Sequence, residues 1–249
     1  MPRYDFAAPR LFVRSPLSAG ARIDLDRAQA NYLRNVLRLG EGDAILVFNG
    51  FDGEWRAHLE KEGRRDLHLR ADARTRAQTP PFNLEYVFAP LKQARLDYMV
   101  QKAVEMGVGR LRPVVTQHTQ VRRINRERME ANAIEAAEQC GILSLPRIDD
   151  LVTLECLVGD WEPARRLIFC DECEGDADPV AILAALDAGP LAILVGPEGG
   201  FAEEERQLLR AQPFVTALPL GPRILRADTA AVAALALVQA VAGDWRPHR

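Results

Sequence analysis

From residue 82 onward the chain alternates short apolar runs with stretches of helical periodicity, and this leaves few folds open to it. "RLIFC" (166–170), "LAILV" (191–195) and "FVTAL" (214–218) are almost bare of polar residues, as strands buried on both faces are. "FNLEYVFA" (82–89) and "LRPVV" (111–115) read as two more strands. Between them, "KQARLDYMVQKAVEMG" puts Leu96, Met99, Val100, Ala103 and Val104 on one helical face and closes at Gly107. "NRERMEANAIEAAEQCG" is a second helix with Asn125 as its N-cap. Residues 179–187, 203–211 and 228–242 supply further helices. Such alternation predicts an α/β fold on a mainly parallel sheet. The last helix, "DTAAVAALALVQAVAG", is apolar nearly all round. In a domain this small, burial on every side calls for a partner subunit; the other reading is the central helix of a monomer.

The front of the chain has another rhythm. "RLFV", "AILVF", "EWRAHL" and "DLHLRA" read as strands, the middle two joined at "NGFDG". "DRAQANYLRNVLRLG" has Leu33, Val36 and Leu37 at helical spacing and Gly40 as its stop. Short strands with one helix predict a small barrel. The polar, proline-ended segment 73–81 reads as a linker, dividing the chain into domains of residues 1–76 and 77–249.

The 249 residues include fourteen basic and eleven acidic ones up to Gln78, although the net charge is −3. That balance argues against an indiscriminate nucleic-acid binder and makes the front the part better suited to phosphate. No apolar stretch approaches the ~20 residues of a membrane span. "MPRYDFAAPRLFV" lacks the apolar core and cleavage site of a signal peptide. The expectation is a cytoplasmic protein without a membrane partner. Cys170 and Cys173 form a C-x-x-C, but no second pair or nearby histidine completes a zinc site. Acidic neighbours also disfavour a thiolate, so the expectation is inert thiols and no metal.

Two apolar runs leave through glycine-proline corners: "ILVGPEGGF" (193–201) and "LPLGPRILRADTAA" (218–231). In open α/β sheets, ligands bind beyond the carboxyl ends of strands. Glycine lets the backbone approach a ligand closely, and a ligand held by backbone N–H and C=O groups suits the edge of an adenosine. Neither G-x-x-x-x-G-K-[ST] nor G-x-G-x-x-G is present. The block Glu203–Glu205 repels phosphate while complementing a helix dipole. Alone, "GPEGG" reads equally as a structural turn; the second corner, with the charged "RILRAD", points to a site.

These residues carry a resemblance. "LVGPEGGF" with its following acids, then "LPLGPRILRADTAA", resembles the signature of the SPOUT superfamily of RNA methyltransferases, and more closely its bacterial 16S rRNA (uracil-N3)-methyltransferase family, RsmE-like. "KQARLDYMVQKAVEMGVGRLRPVVTQHTQV", "AIEAAEQC", "RLFV" and "YLRNVLRLGEGDAILVFNG" are similar to other segments of that family, so the likeness spans essentially the whole chain. It implies an α/β architecture in which a small N-terminal PUA-like β-barrel precedes a C-terminal SPOUT-type trefoil-knotted parallel-sheet domain. It also implies S-adenosyl-L-methionine as cofactor, N3-methyluridine in the decoding region of the 30S subunit's 16S rRNA as product, and a homodimer. The cofactor contacts implied are Val195, Gly196, Pro197, Glu198, Gly199, Gly200, Leu218, Leu220, Gly221, Ile224, Leu225 and Arg226. The chain departs from the family's pattern in having Asp228 for a usual glutamate, Ile142-Leu143 where a basic residue is usual, and Ala202 for a Ser/Thr cap.

Methylating uridine N3 requires loss of an imide proton, helped by a general base or by stabilising charge on the flanking carbonyls. Arg226 is the candidate for that charge, with phosphate binding as its other reading. Glu198 and Asp228 are the candidate bases; a loop-capping carboxylate and a helix N-cap are their alternatives. Arg3, Arg10, Arg14, Arg34, Arg38 and Arg223 are candidates for gripping RNA. Rival functions are methylation at another base or at a ribose 2′-oxygen, and a non-catalytic RNA-binding ribosome-assembly factor.

Overall fold

The computed structural model describes residues 8–62, 66–171 and 177–246, and among these the chain forms two compact units. One consists of the chain up to Pro80 together with Ala137–Leu145, the other of Pro81–Ala136 and the chain from Pro146 onward.

In the first unit, strands β1 (Arg10–Phe12), β2 (Arg22–Asp24), β3 (Ala44–Phe48), β4 (Glu54–Glu62) and β5 (Asp66–Arg76) form one sheet in the order β1-β3-β4-β5-β2. Its core includes Leu11, Ile23, Leu33, Ile45, Val47, Leu59 and Leu69. The β3–β4 hairpin turns at residues 49–53, where Asn49 Oδ1 accepts the N–H groups of Phe51 and Asp52. Residues 73–76, expected as linker, are instead the end of β5, paired with β4. The expected continuous helix is also altered. Helix α1 (Arg27–Asn31) passes into a π-helical turn, Tyr32–Val36, closed by Leu37 N–H donating to the Tyr32 carbonyl five residues back. That widened turn breaks the 3.6-residue phase, so Leu33 is buried while Val36 is 61% exposed. Arg38, with φ of 57°, turns the chain before Gly40 does.

The second unit is a seven-stranded sheet, and all its pairings are parallel. Strands β6 (Leu84–Phe88), β7 (Arg110–Val115), β8 (Arg147–Ile148), β10 (Arg166–Cys170), β11 (Leu191–Val195) and β12 (Val215–Leu218) run in the order β12-β10-β11-β6-β7-β8, and β9 (Val152–Thr153) pairs with β7. β6 and β11 are buried at every position, as apolar runs in a sheet covered on both faces must be. Helix α2 (Gln93–Glu105) buries Leu96, Met99, Val100, Ala103 and Val104, the stripe that the periodicity predicts. Helix α3 (Arg126–Cys140) opens with Asn125 Oδ1 accepting the Arg128 N–H. Helices α4 (Leu154–Gly159), α5 (Pro179–Ala184), α6 (Glu203–Arg210) and α7 (Ala227–Val241) complete the unit.

Helix α7 packs against α2, α5 and β11. Its buried face is Ala227, Ala230, Ala231, Ala234, Leu235, Val238 and Gln239. Val232, Ala233, Ala236, Leu237 and Val241 are apolar but only partly covered. Gln239 donates to the Met106 carbonyl and accepts the Asp244 N–H, which satisfies the one buried polar side chain on that face. No helix among the described residues is long and apolar enough to cross a membrane.

Candidate active site

Parallel pairing puts the carboxyl ends of β10, β11 and β12 side by side: Cys170 lies opposite both Val195 and Leu218. The two glycine corners therefore meet across the end of β10, where they enclose a cavity of about 390 Å³. That is within the range of small-molecule sites. The first corner contributes Val195, Gly196, Pro197, Glu198, Gly200 and Phe201, and the second Pro219 to Ala227. Cys170, Asp171, Arg206 and Ala230 complete the wall.

Of the sequence candidates, the cavity brings together Val195, Gly196, Pro197, Glu198, Gly200, Leu220, Gly221, Arg223, Ile224, Leu225 and Arg226. Two of the expected cofactor contacts stand elsewhere, as does Asp228. Leu218 is fully buried at the end of its strand. At Gly199 an added Cβ would meet the His118 Cβ at 3.1 Å, so this glycine makes room for His118 behind the corner. The His118 Nδ1 in turn donates to the Gly199 and Gly200 carbonyls, at 3.1 and 3.3 Å. Gly221 has φ of 91°, which favours glycine, and a Cβ there would meet nothing within 4 Å. The second corner thus leaves open space at the cavity wall.

Asp228 is not the N-cap of α7. That position is Arg226, with an extended backbone, and Asp228 sits in the first turn, where it favours the helix dipole and accepts the Thr229 N–H. The block Glu203–Glu205 also divides. Glu203 and Glu204 are exposed, whereas Glu205 is buried and accepts the Ala202 and Gln117 N–H groups. Glu205 thereby supplies at the start of α6 the cap that Ala202 cannot.

Among the RNA candidates, Arg14, Arg34, Arg38 and Arg223 are exposed. Arg10 must be withdrawn: it is 5% exposed and bonded through Nε to the Glu54 carboxylate at 3.0 Å. Arg3 and Cys173 lie outside the described residues. Burial pushes the Cys170 thiol up to about 12, leaving it protonated and unreactive. Burial likewise raises the Tyr86 hydroxyl well above the usual phenol range, with Cys170 and Asp228 adding to the effect. Neither group can serve as a base.

Three side chains at the site are not among the candidates that the sequence offers. Arg206 lines the wall and pairs with buried Asp171 at 3.1 Å, beside Arg210 at 2.9 Å. Arg206 was readable in principle, as the cation one turn after Glu203 at the start of the helix following the corner. Arg95 and His118 reach the first corner from 103 and 81 residues away, a relation that no local pattern encodes. Arg95 hydrogen-bonds Glu198 and lies 3.9 Å from Asp228.

Comparison with known proteins gives this geometry a context. A family described as "RNA methyltransferase domain" matches residues 78–239, and one described as "RNA methyltransferase PUA domain" matches residues 25–72. Ribosomal RNA small subunit methyltransferase E of Rickettsia conorii is 31% identical over 232 residues, covering 92% of this chain and 94% of that protein. This chain belongs to the ribosomal RNA small subunit methyltransferase E family. The Bacillus subtilis member is 28% identical, over 84% of this chain and 86% of its own length. The crystal structure of the Neisseria gonorrhoeae member bound to S-adenosyl methionine aligns with a TM-score of 0.82 and 27% identity, covering 96% of this chain and all of that one. A Legionella pneumophila methyltransferase in complex with the bound cofactor SAM aligns at 0.79 and 28%, covering 94% and 97%. The first unit is thus the PUA-like part of the fold and the second its SPOUT-type α/β part.

Proposed function

We propose that this chain transfers a methyl group from S-adenosyl-L-methionine to N3 of a uridine in 16S rRNA, in the decoding region of the small ribosomal subunit. The observation that carries this reading is the cavity where the two glycine corners meet, in a chain of this family. Its wall fits the cofactor chemically. Backbone groups of both corners can pair with an adenine edge, Val195, Leu220 and Leu225 offer apolar surface, and Glu198 complements a cation. When bound, the cofactor supplies an electrophilic methyl on a positively charged sulfur.

The chain's own residues must align the uridine and manage its proton. Arg226, exposed on the cavity wall, stabilises the negative charge that spreads onto the carbonyls flanking N3. Glu198 lines the same wall and Asp228 does not, which favours Glu198 as acceptor of the proton. Arg223 and the exposed Arg14, Arg34 and Arg38 grip RNA phosphates. The target base must be unstacked to enter. Ile224, 87% exposed at the cavity, and the half-covered apolar face of α7 favour a homodimer. We assign the chain to the cytoplasm, and, as the family resemblance implies, give it the 30S subunit as partner and a knotted second domain.

The test is mass mapping of modified uridines in small-subunit rRNA from cells with and without this protein. Loss of one N3-methyluridine is the expected result. An unchanged map would favour a non-catalytic assembly factor, and loss of a ribose methyl would favour the other rival.

A further inference from the structure

We infer that Arg95 is a positioning residue that clasps the two glycine corners together, an assignment that rests on the methyl-transfer reading above. Its guanidinium serves two carboxylates from different elements. Nη1 donates to Glu198 on the first corner, and Nε lies 3.9 Å from Asp228 Oδ2, in the first turn of α7 just past the second corner. Glu198 lies on the loop of the first corner and Asp228, thirty residues on, in the first turn of α7; Arg95 is the group that both share. It does not line the cavity itself, so it acts through the carboxylates and not on a ligand.

Arg95 is also well placed to hold still. It stands in the first turn of α2, one residue before the buried Leu96 and one turn before the buried Met99. The neighbouring Asp97 is held by Gln93, Arg128 and Asn132, which pins this end of α2. α2 in turn packs against α7. Helix α2 thus presents a planar fork to one acid on a loop and one at the start of α7. A guanidinium spreads its donors over three nitrogens in a planar fork, so Nη1 and Nε face different acids, whereas the donors of lysine all sit on one nitrogen, which cannot occupy both places. Movement of the first corner is then felt at the start of α7, where the second corner ends.

Amide hydrogen exchange on the full chain, without cofactor or RNA, reads the clasp directly. Arg95→Ala is expected to speed exchange on the order of tenfold, the scale of one coupled contact, at residues 199–201 and 224–228 together. Arg95→Lys should restore protection at one corner only. Glu198→Gln added to Arg95→Ala should loosen the corners no further. In single-turnover methylation, Arg95→Ala should lower the rate at saturation by on the order of 10²-fold, the cost of misplaced groups, with the RNA KM unchanged. Faster exchange at one corner alone, or at neither, would overturn the clasp. So would a raised RNA KM with an unchanged rate, which would mark Arg95 as a phosphate contact. Because the exchange measurement needs no reaction, failure of the clasp is distinguishable from failure of the wild-type chain to methylate uridine.

Discussion

Arg10 and Arg226 are the same residue type in opposite surroundings, and their substitutions should fail in opposite ways. At Glu54, burial alone would raise the carboxyl, but hydrogen bonds from Arg76, Thr75 and Arg10 outweigh it and hold the group below the usual range. A carboxyl depressed in the folded state contributes stability that is present above its unfolded value, 4.5, and is lost as pH falls through the lower folded value. Arg10→Ala removes one donor and lets that value rise. Acid unfolding of the first unit, followed by near-ultraviolet circular dichroism, should therefore begin at higher pH. The neutral-pH cost should be about 2–3 kcal/mol, short of the ~3–5 kcal/mol of a buried charge left wholly unpaired, because Arg76 remains. Arg226→Ala should leave stability unchanged and lower kcat and kcat/KM together by on the order of 10²–10³, as for one charge-stabilising donor. A raised KM with constant kcat, and a salt dependence weaker by about one contact, would instead assign Arg226 to phosphate.

At the scale of elements, the two corners are held by different means. The first is buttressed from behind by His118 and, through Glu205, by the backbone of Gln117. Glu205→Ala strands the buried Ala202 N–H and the partly buried Gln117 N–H and should cost about 2 kcal/mol, visible as a lowered melting temperature. The second corner depends on the backbone of Gly221. Gly221→Val should weaken S-adenosyl-L-methionine binding at least tenfold in calorimetric titration, since φ of 91° is strained for any other residue. The α2 stripe, the Asn125 cap and both corners were legible in the sequence because each depends on neighbours within a turn or two. The π-helical turn at Tyr32–Val36 was not, because Val36 and Leu37 keep helical spacing in sequence while the hydrogen bonds change phase. The burial of Arg10 was not legible either, since its partner Glu54 is 44 residues away. Arg95 and His118 escaped for the same reason: sequence marks where a corner turns, not which distant side chain holds it.

For the whole molecule, the apolar outer face of α7 is expected to be buried in a homodimer. Leu237→Asp, at a half-covered position on that face, should give a folded monomer in sedimentation velocity; an unchanged dimer would place the interface elsewhere. Division of labour between the units can be tested separately. A fragment starting at Pro80 should bind cofactor yet fail on ribosomal substrate, although it also strips Gly141 and Leu143 of bonds from Arg76 and Gln78. The most direct measurement is nucleoside analysis by mass spectrometry after the purified chain acts on 30S subunits lacking the modification, with methyl-labelled S-adenosyl-L-methionine. One labelled N3-methyluridine per subunit is the expected product, absent with Gly221→Val and strongly slowed with Arg226→Ala. Label on a ribose or another base, or no label at all from a chain that binds the cofactor, would contradict the assignment.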